Sequence, residues 1–315
     1  MEVRKLIKFG NSSHVISIPT VWLKKNNLNK GDVIYFEENG NNELVLSPQL
    51  KEKKEELKEA IIDIANKSLH SIKREIVSSY VNNYRIIRLT GKNLDHYSSE
   101  LREFIHNLLA VEIIEETQNS IIARDFLNVK TLSITNIIRR MDIILRAMLS
   151  DSKEVRTKET IYNNLMNRDK DVNRLTILAY RSCRYYMENQ NNKETYSTVD
   201  YFKMWNLVEA LEKIGDEAKR FARYLKISKL PDKKINELLN IFSELERAYM
   251  TTMGAFYKRD KTVLLEQASN RDVLMKKIDK FLDQNYKYPC VAQMIEKLKN
   301  LLNHTHSIIK VTVYN

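Results

Sequence analysis

A chain of 315 residues with 52 Lys and Arg against 41 Asp and Glu carries a formal net charge of +11, and it is long enough for two or three domains with sizeable cores. It holds no run of 18 apolar residues, which excludes a transmembrane helix; the opening Met1-Glu2-Val3-Arg4-Lys5 lacks the apolar core of a signal peptide, so the expected location is cytoplasmic. Cys183 and Cys290 stand alone, without Cys-x-x-Cys or Cys/His spacing, and read as reduced core thiols, not a zinc site.

Six glycines and four prolines are few, and long periodic segments dominate, so the expected fold is mainly α with a small β domain at the N-terminus. The expected domains are 1–50, 51–127, 128–226 and 227–315. Residues 1–50 carry six basic and five acidic side chains, and 51–127 carry twelve and thirteen. Residues 128–226 carry nineteen and thirteen, and 227–315 fifteen and ten, so the positive excess lies on the second half. Such an excess fits nucleic acid, an anionic membrane surface or a solubilising surface charge.

In residues 1–50, Val15-Ile16-Ser17-Ile18 reads as a strand that Pro19 ends. Thr20 to Asn27 reads as a short helix with Thr20 as N-cap, and Asn29-Lys30-Gly31-Asp32 as a turn. Val33–Phe36 and Glu43–Leu46 flank Asn39-Gly40-Asn41-Asn42, a hairpin signal. A unit this small, without disulfides or metal, cannot bury a stable core alone and is expected to dimerise.

The order of Arg4-Lys5-Leu6-Ile7-Lys8-Phe9-Gly10-Asn11-Ser12-Ser13, Val15-Ile16-Ser17-Ile18-Pro19, Trp22, Leu28, Gly31-Asp32 and Leu44-Val45-Leu46-Ser47-Pro48 resembles the SpoVT/AbrB (MazE-like) swapped-hairpin domain. The resemblance implies two chains interlaced into one barrel, a homodimer. It also implies DNA contact through the basic start and the Gly-containing loop: Arg4, Lys5 and Lys8, with Asn11, Ser12 and Ser13 donating to phosphates.

Lys51 to Ala60 is a Glu/Lys-rich run expected to lead into a helix reaching about Val81. Arg85–Leu89 reads as a strand, Ser98–Leu109 as a helix capped by Ser98 or Ser99, and Glu112–Glu116 and Ser120–Arg124 as two more strands. His70, His96 and His106 are scattered over this small α/β module and make no catalytic constellation. Six helices follow, at about Val129–Leu149, Lys158–Met187, Ser197–Tyr224, Asp232–Tyr257, Lys261–Phe281 and Pro289–Val311, with Pro231 at a helix start. Two three-helix sets of similar length make an internal repeat.

The third of these helices carries Glu212-Lys213-Ile214-Gly215-Asp216-Glu217-Ala218. Leu207, Leu211, Ile214, Ala218, Phe221 and Leu225 form its buried stripe. Glu212 and Asp216, four residues apart, stack their carboxylates on one face. Gly215 inside a helix costs about 1 kcal/mol relative to Ala. A cation held by both carboxylates, with glycine leaving room for it, accounts for both costs. So does a metal-free reading, in which Asp216 pairs with Arg220 and Gly215 marks close helix packing.

Glu-Lys-Ile-Gly-Asp-Glu-Ala resembles the Glu-Arg-Ile-Gly-Asp-His-Ala motif of the PhoU family of phosphate-uptake regulators, built from two three-helix bundles. Archaeal PhoU-like proteins also carry a segment similar to Glu112-Ile113-Ile114-Glu115-Glu116-Thr117 between an AbrB unit and the bundles. The resemblance implies a swapped-hairpin unit, a small α/β module and two PhoU-like bundles. It implies Glu212 and Asp216 as metal ligands, with Glu217 where the family often has His. Asp169-Lys170-Asp171-Val172-Asn173 resembles the family's second-helix Asp-x-x-Val-Asp and adds Asp169 as a third ligand. In the second repeat Glu296 and Asn300 take the places of Glu212 and Asp216, and the amide makes that site weak or absent. Oxygen ligands suit Mg, Mn, Fe or Zn.

No Ser/His/Asp order, Walker motif, HExxH or strand-associated GxGxxG occurs, so no catalytic residue is expected. The expected function is a phosphate-responsive, DNA-binding transcriptional regulator with a metal-binding sensor region. The alternative is an adaptor that docks on a phosphate transporter or its ATPase and uses the AbrB unit only to dimerise.

Overall fold

The computed structural model describes residues 3–38, 43–49, 57–92, 94–189 and 196–313. The chain divides into two compact units, the first up to Glu56 and the second from Leu57.

The first unit has two antiparallel hairpins flanking a short helix. β1 (Ile7–Phe9) pairs with β2 (Ser13–Val15), with Ile7 opposite Val15. Gly10, at φ +68°, takes the left-handed conformation that lets the chain turn between them. α1 (Thr20–Lys25) starts after Pro19, so Thr20 is its first residue and not its cap. β3 (Tyr35–Glu38) pairs with β4 (Leu44–Ser47), and their connecting loop Asn39–Asn42 lies outside the described residues. The strand expected at Val15–Ile18 is reduced to Val15, because Ile16–Ile18 meet no partner strand among the described residues. None of the described residues from 3 to 49 is buried. Val3, Leu6, Phe9, Val21, Val33, Phe36 and Leu44 are all exposed, so the described residues of this unit have apolar side chains and no buried core to hold them.

The second unit opens with a four-stranded sheet in the order β5-β6-β8-β7. β5 (Glu59–Asp63) and β6 (Ile86–Thr90) are parallel, joined by α2 (Leu69–Val81). β7 (Val111–Thr117) and β8 (Ser120–Asp125) form an antiparallel hairpin with an irregularity between Ile113 and Glu115. The helix expected from about Lys51 is therefore corrected: residues 51–56 lie outside the described residues, and β5 occupies 59–63. Ile62 and Ile64 point into the core while Ile61 is exposed, the two-residue alternation of a strand. Only after Asn66, at φ +58°, does Ser68 cap α2 by accepting from the Ser71 amide at 3.2 Å. α3 (Leu94–His106) starts before the expected Ser98, since Leu94 joins Leu101 and Ile105 on the buried stripe. Ile72, Ile76, Tyr80, Ile87 and Leu89 complete this core.

Six long helices follow: α4 (Ile134–Ser152), α5 (Glu159–Glu188), α6 (Thr198–Ile227), α7 (Asp232–Lys258), α8 (Lys261–Asn285) and α9 (Val291–Val313). α4 begins later than expected: Val129–Thr131 is a 3-10 turn, and Ser133 caps the helix by accepting from the Asn136 amide. α6 has a full capping box, Ser197 with Asp200. Arg259, left-handed at φ +55°, and the cap Asp260 make the tight turn from α7 to α8. The two three-helix sets share one apolar core in which α6 lies against α9 and Phe221 meets Phe242 with ring centroids 4.7 Å apart. Buried Asp142 of α4 fastens α7 to it, accepting from the hydroxyls of Tyr249 at 2.8 Å and Tyr257 at 3.2 Å.

A buried ion cluster joins the α/β module to the bundle. Arg181 of α5 is fully buried and donates to Asp125 at 2.5 Å and to Asn83 at 2.9 Å, over the Tyr80 ring. Arg85 donates to the same Asp125 oxygen at 2.7 Å and to the Leu127 carbonyl. Among the described residues no helix is long and apolar enough to cross a membrane.

Candidate functional site

The periodicity that buries Leu211, Ile214, Ala218 and Phe221 also turns Gly215 inward. A Cβ there would stand 2.9 Å from Leu145 Cδ2 and 3.7 Å from Met148 Cε, both on α4. The glycine is therefore the contact through which α6 approaches α4, and it opens no space for a cation beside the acids. Gly215→Val is expected to lower stability by about 1–3 kcal/mol through overpacking. Adding Leu145→Ala should recover part of that loss in urea melts.

The acids lie on the neighbouring face. Asp169 of α5 is buried and meets α6 there. Lys219 Nζ sits between the two helices, donating to Asp169 Oδ2 at 2.7 Å and Asp216 Oδ1 at 2.8 Å. Arg220 donates to the other Asp216 oxygen at 2.6 Å, the pairing that the four-residue spacing predicts. Glu212 is half-buried and makes no ion pair among the described residues. Burial, then the charges of Asp216 and Asp169, push its carboxyl pKa up. Burial also raises Asp169, against the pull of Lys219. Burial alone would lower Lys219, but its contacts with Asp169 and Asp216 more than reverse that.

The structure thus brings Glu212, Asp216 and Asp169 into one neighbourhood, but not as a metal-ligating set. Among the described residues no three His, Cys, Asp or Glu side chains converge to hold an ion. The residues do not fit the expected metal site, because an ammonium already lies between two of the three carboxylates. In the second repeat, Glu296 is exposed beside Lys297, while Asn300 donates to Glu217 Oε1 at 3.3 Å. Glu217, buried between α6 and α9, thus links the repeats, a role its neighbours in sequence do not reveal.

The Glu212 shift has a testable sign. A carboxyl whose pKa is raised by folding is penalised when ionised, fully above the folded pKa and not at all below the unfolded value. Glu212→Gln is therefore expected to raise the melting temperature at pH 7, with the gain shrinking to nothing towards pH 4. A constant gain at both pH values would contradict this.

Arg4, Lys5, Lys8, Asn11, Ser12 and Ser13 all lie exposed on or beside the first hairpin, Asn11 and Ser12 in the turn that Gly10 begins and Ser13 at the start of β2. His70, His96 and His106 are exposed and separate. Cys183 is buried, and burial pushes its thiol up to about 12, which leaves it inert.

Known families match both parts of the chain. The family model described as antidote–toxin recognition MazE, bacterial antitoxin, matches residues 7–54, and the PhoU domain model matches 138–225. The chain carries a MazE-like domain and a PhoU domain. The PhoU match begins in α4 and ends in α6, so it spans the first three-helix set and includes the acidic cluster. The crystal structure of PhoU from Pseudomonas aeruginosa is similar at 15% identity and a TM-score of 0.49, covering 57% of this chain and 94% of that one. No curated protein matches the chain.

Proposed function

We propose that this chain is a phosphate-responsive regulator of phosphate uptake that dimerises and binds DNA through its MazE-like domain, with the PhoU domain in its sensing region. The supporting observation is the pairing of these two domains in one chain, the first of them exposing its apolar residues while carrying Arg4, Lys5 and Lys8 on its surface. Deleting the gene in its host should release phosphate uptake from control by external phosphate, read as radiolabelled phosphate transport. Uptake unaltered at both high and low phosphate would contradict the proposal.

DNA binding is expected to be electrostatic. Removing one phosphate contact makes the slope of log K against log salt shallower by about 0.9. Replacing Arg4, Lys5 and Lys8 with Ala should weaken binding to promoter fragments and flatten that slope. The same affinity and slope would remove these residues from the interface. A second reading, an adaptor on a phosphate transporter or its ATPase, is favoured by the near balance of six basic and five acidic side chains in residues 1–50. In that reading the dimer binds transporter components and shows no affinity for DNA.

A further inference from the structure

Two acids from different helices, Asp169 of α5 and Asp216 of α6, are both hydrogen-bonded to one atom, Lys219 Nζ. The Lys219 side chain is only 19% exposed, and those of Asp169 and Asp216 are 9% and 23% exposed, so water screens these contacts little. The lysine belongs to the same helix as Asp216, three residues on, so it loses no translational entropy in reaching its place. Arg220 neutralises the second oxygen of Asp216 from the helix's outer side. Glu212 remains as the one carboxylate of the three without an ion-pair partner among the described residues.

We infer that Lys219 is the resident cation of this cluster, holding α5 to α6 where a hard divalent ion would bridge the two aspartates, and that such an ion binds only when this ammonium is removed. The chemistry is a competition for the same oxygens. Hard divalent ions bind oxygen at roughly 2.0–2.6 Å. Both aspartate oxygens already lie within hydrogen-bond reach of a single point, so only a small closure would be needed. A tethered ammonium that is already in contact must first be expelled into water, leaving its own charge beside the incoming ion. That repulsion opposes uptake of the ion in the intact chain. With the ammonium gone, only Arg220, on the outer oxygen of Asp216, offsets the charges of Asp169, Glu212 and Asp216, and a divalent ion relieves the remaining repulsion. The first bundle accordingly gains from Lys219 what a metal would otherwise supply, and its packing is independent of the metal supply.

The test uses the full chain and Lys219→Met, which matches the apolar stem of the lysine and removes its charged end. Both are melted in chelator and in millimolar manganese, and bound manganese is counted by elemental analysis after gel filtration. The intact chain should melt at one temperature in both buffers and retain no manganese. Lys219→Met should melt lower in chelator, recover in manganese and retain about one ion per chain, because a ligand bound only by the folded state raises its stability. Adding Asp169→Asn should abolish the recovery, and Lys219→Arg should behave as the intact chain. Manganese retained by the intact chain would overturn the inference. So would Lys219→Met that is indifferent to manganese, or that fails to fold with and without it.

Discussion

Asp125→Ala is expected to cost about 3–5 kcal/mol, because it leaves two guanidinium groups without their shared counter-charge, one of them fully buried. Arg181 meets no other anion among the described residues: its remaining contacts are the Asn83 side-chain oxygen and the Tyr80 ring. The group is buried deep enough that water cannot replace the carboxylate without opening the contact between α5 and the α/β module. Urea unfolding should therefore show a lower midpoint. Hydrogen exchange should speed up in α2 and β8 before it does in α6. Asp125→Leu combined with Arg181→Met should be milder than Asp125→Ala, since it removes the fully buried guanidinium together with its counter-charge and leaves only the partly exposed Arg85 without one. A cost below about 1 kcal/mol for Asp125→Ala would show that the cluster does not hold the two parts together.

Deleting residues 1–48 is expected to turn a dimer into a monomer and to leave the helices of the second unit intact. The first unit leaves Val3, Val21, Leu44 and Phe9 at 83%, 78%, 69% and 68% exposure, and none of its described residues is buried. Large apolar side chains without a core mark a surface that another surface covers, and MazE-like domains commonly dimerise. The rest of the chain has its own cores, on the sheet and through the six helices, and needs nothing from residues 1–48 to fold. Light scattering measures the mass and circular dichroism the helix content. A truncated chain that keeps the mass of the intact one would place the dimer contact elsewhere.

Much of the helical half could be read from sequence because its signals are local. The capping box at Ser197, Pro231 before α7 and Asp260 before α8 mark helix starts within the residues themselves. β5 was hidden because Glu59-Ala60-Ile61-Ile62-Asp63 follows a Glu/Lys run with helical character, and its strand identity depends on pairing with β6, more than twenty residues on. The cost of Gly215 was legible and close helix packing was one of its two readings, but the choice between them was not, because Leu145 reaches it from another helix. The carboxylates of the candidate site stood out by their spacing. The cation between them did not, since Asp169 and Lys219 are 50 positions apart and only the pairing of α5 with α6 brings them together. The Asp125–Arg181 contact, 56 positions apart, was hidden in the same way.

The most direct test of the proposed function is a titration of the intact chain against a labelled fragment of its own promoter, followed by fluorescence anisotropy at several salt concentrations. The expected result is a complex of one dimer per fragment, with log K falling linearly as log salt rises, and with a slope of several units when a handful of phosphates is neutralised at about 0.9 each. No binding at low salt by a chain whose mass is that of a dimer would contradict DNA binding and leave the adaptor reading in its place.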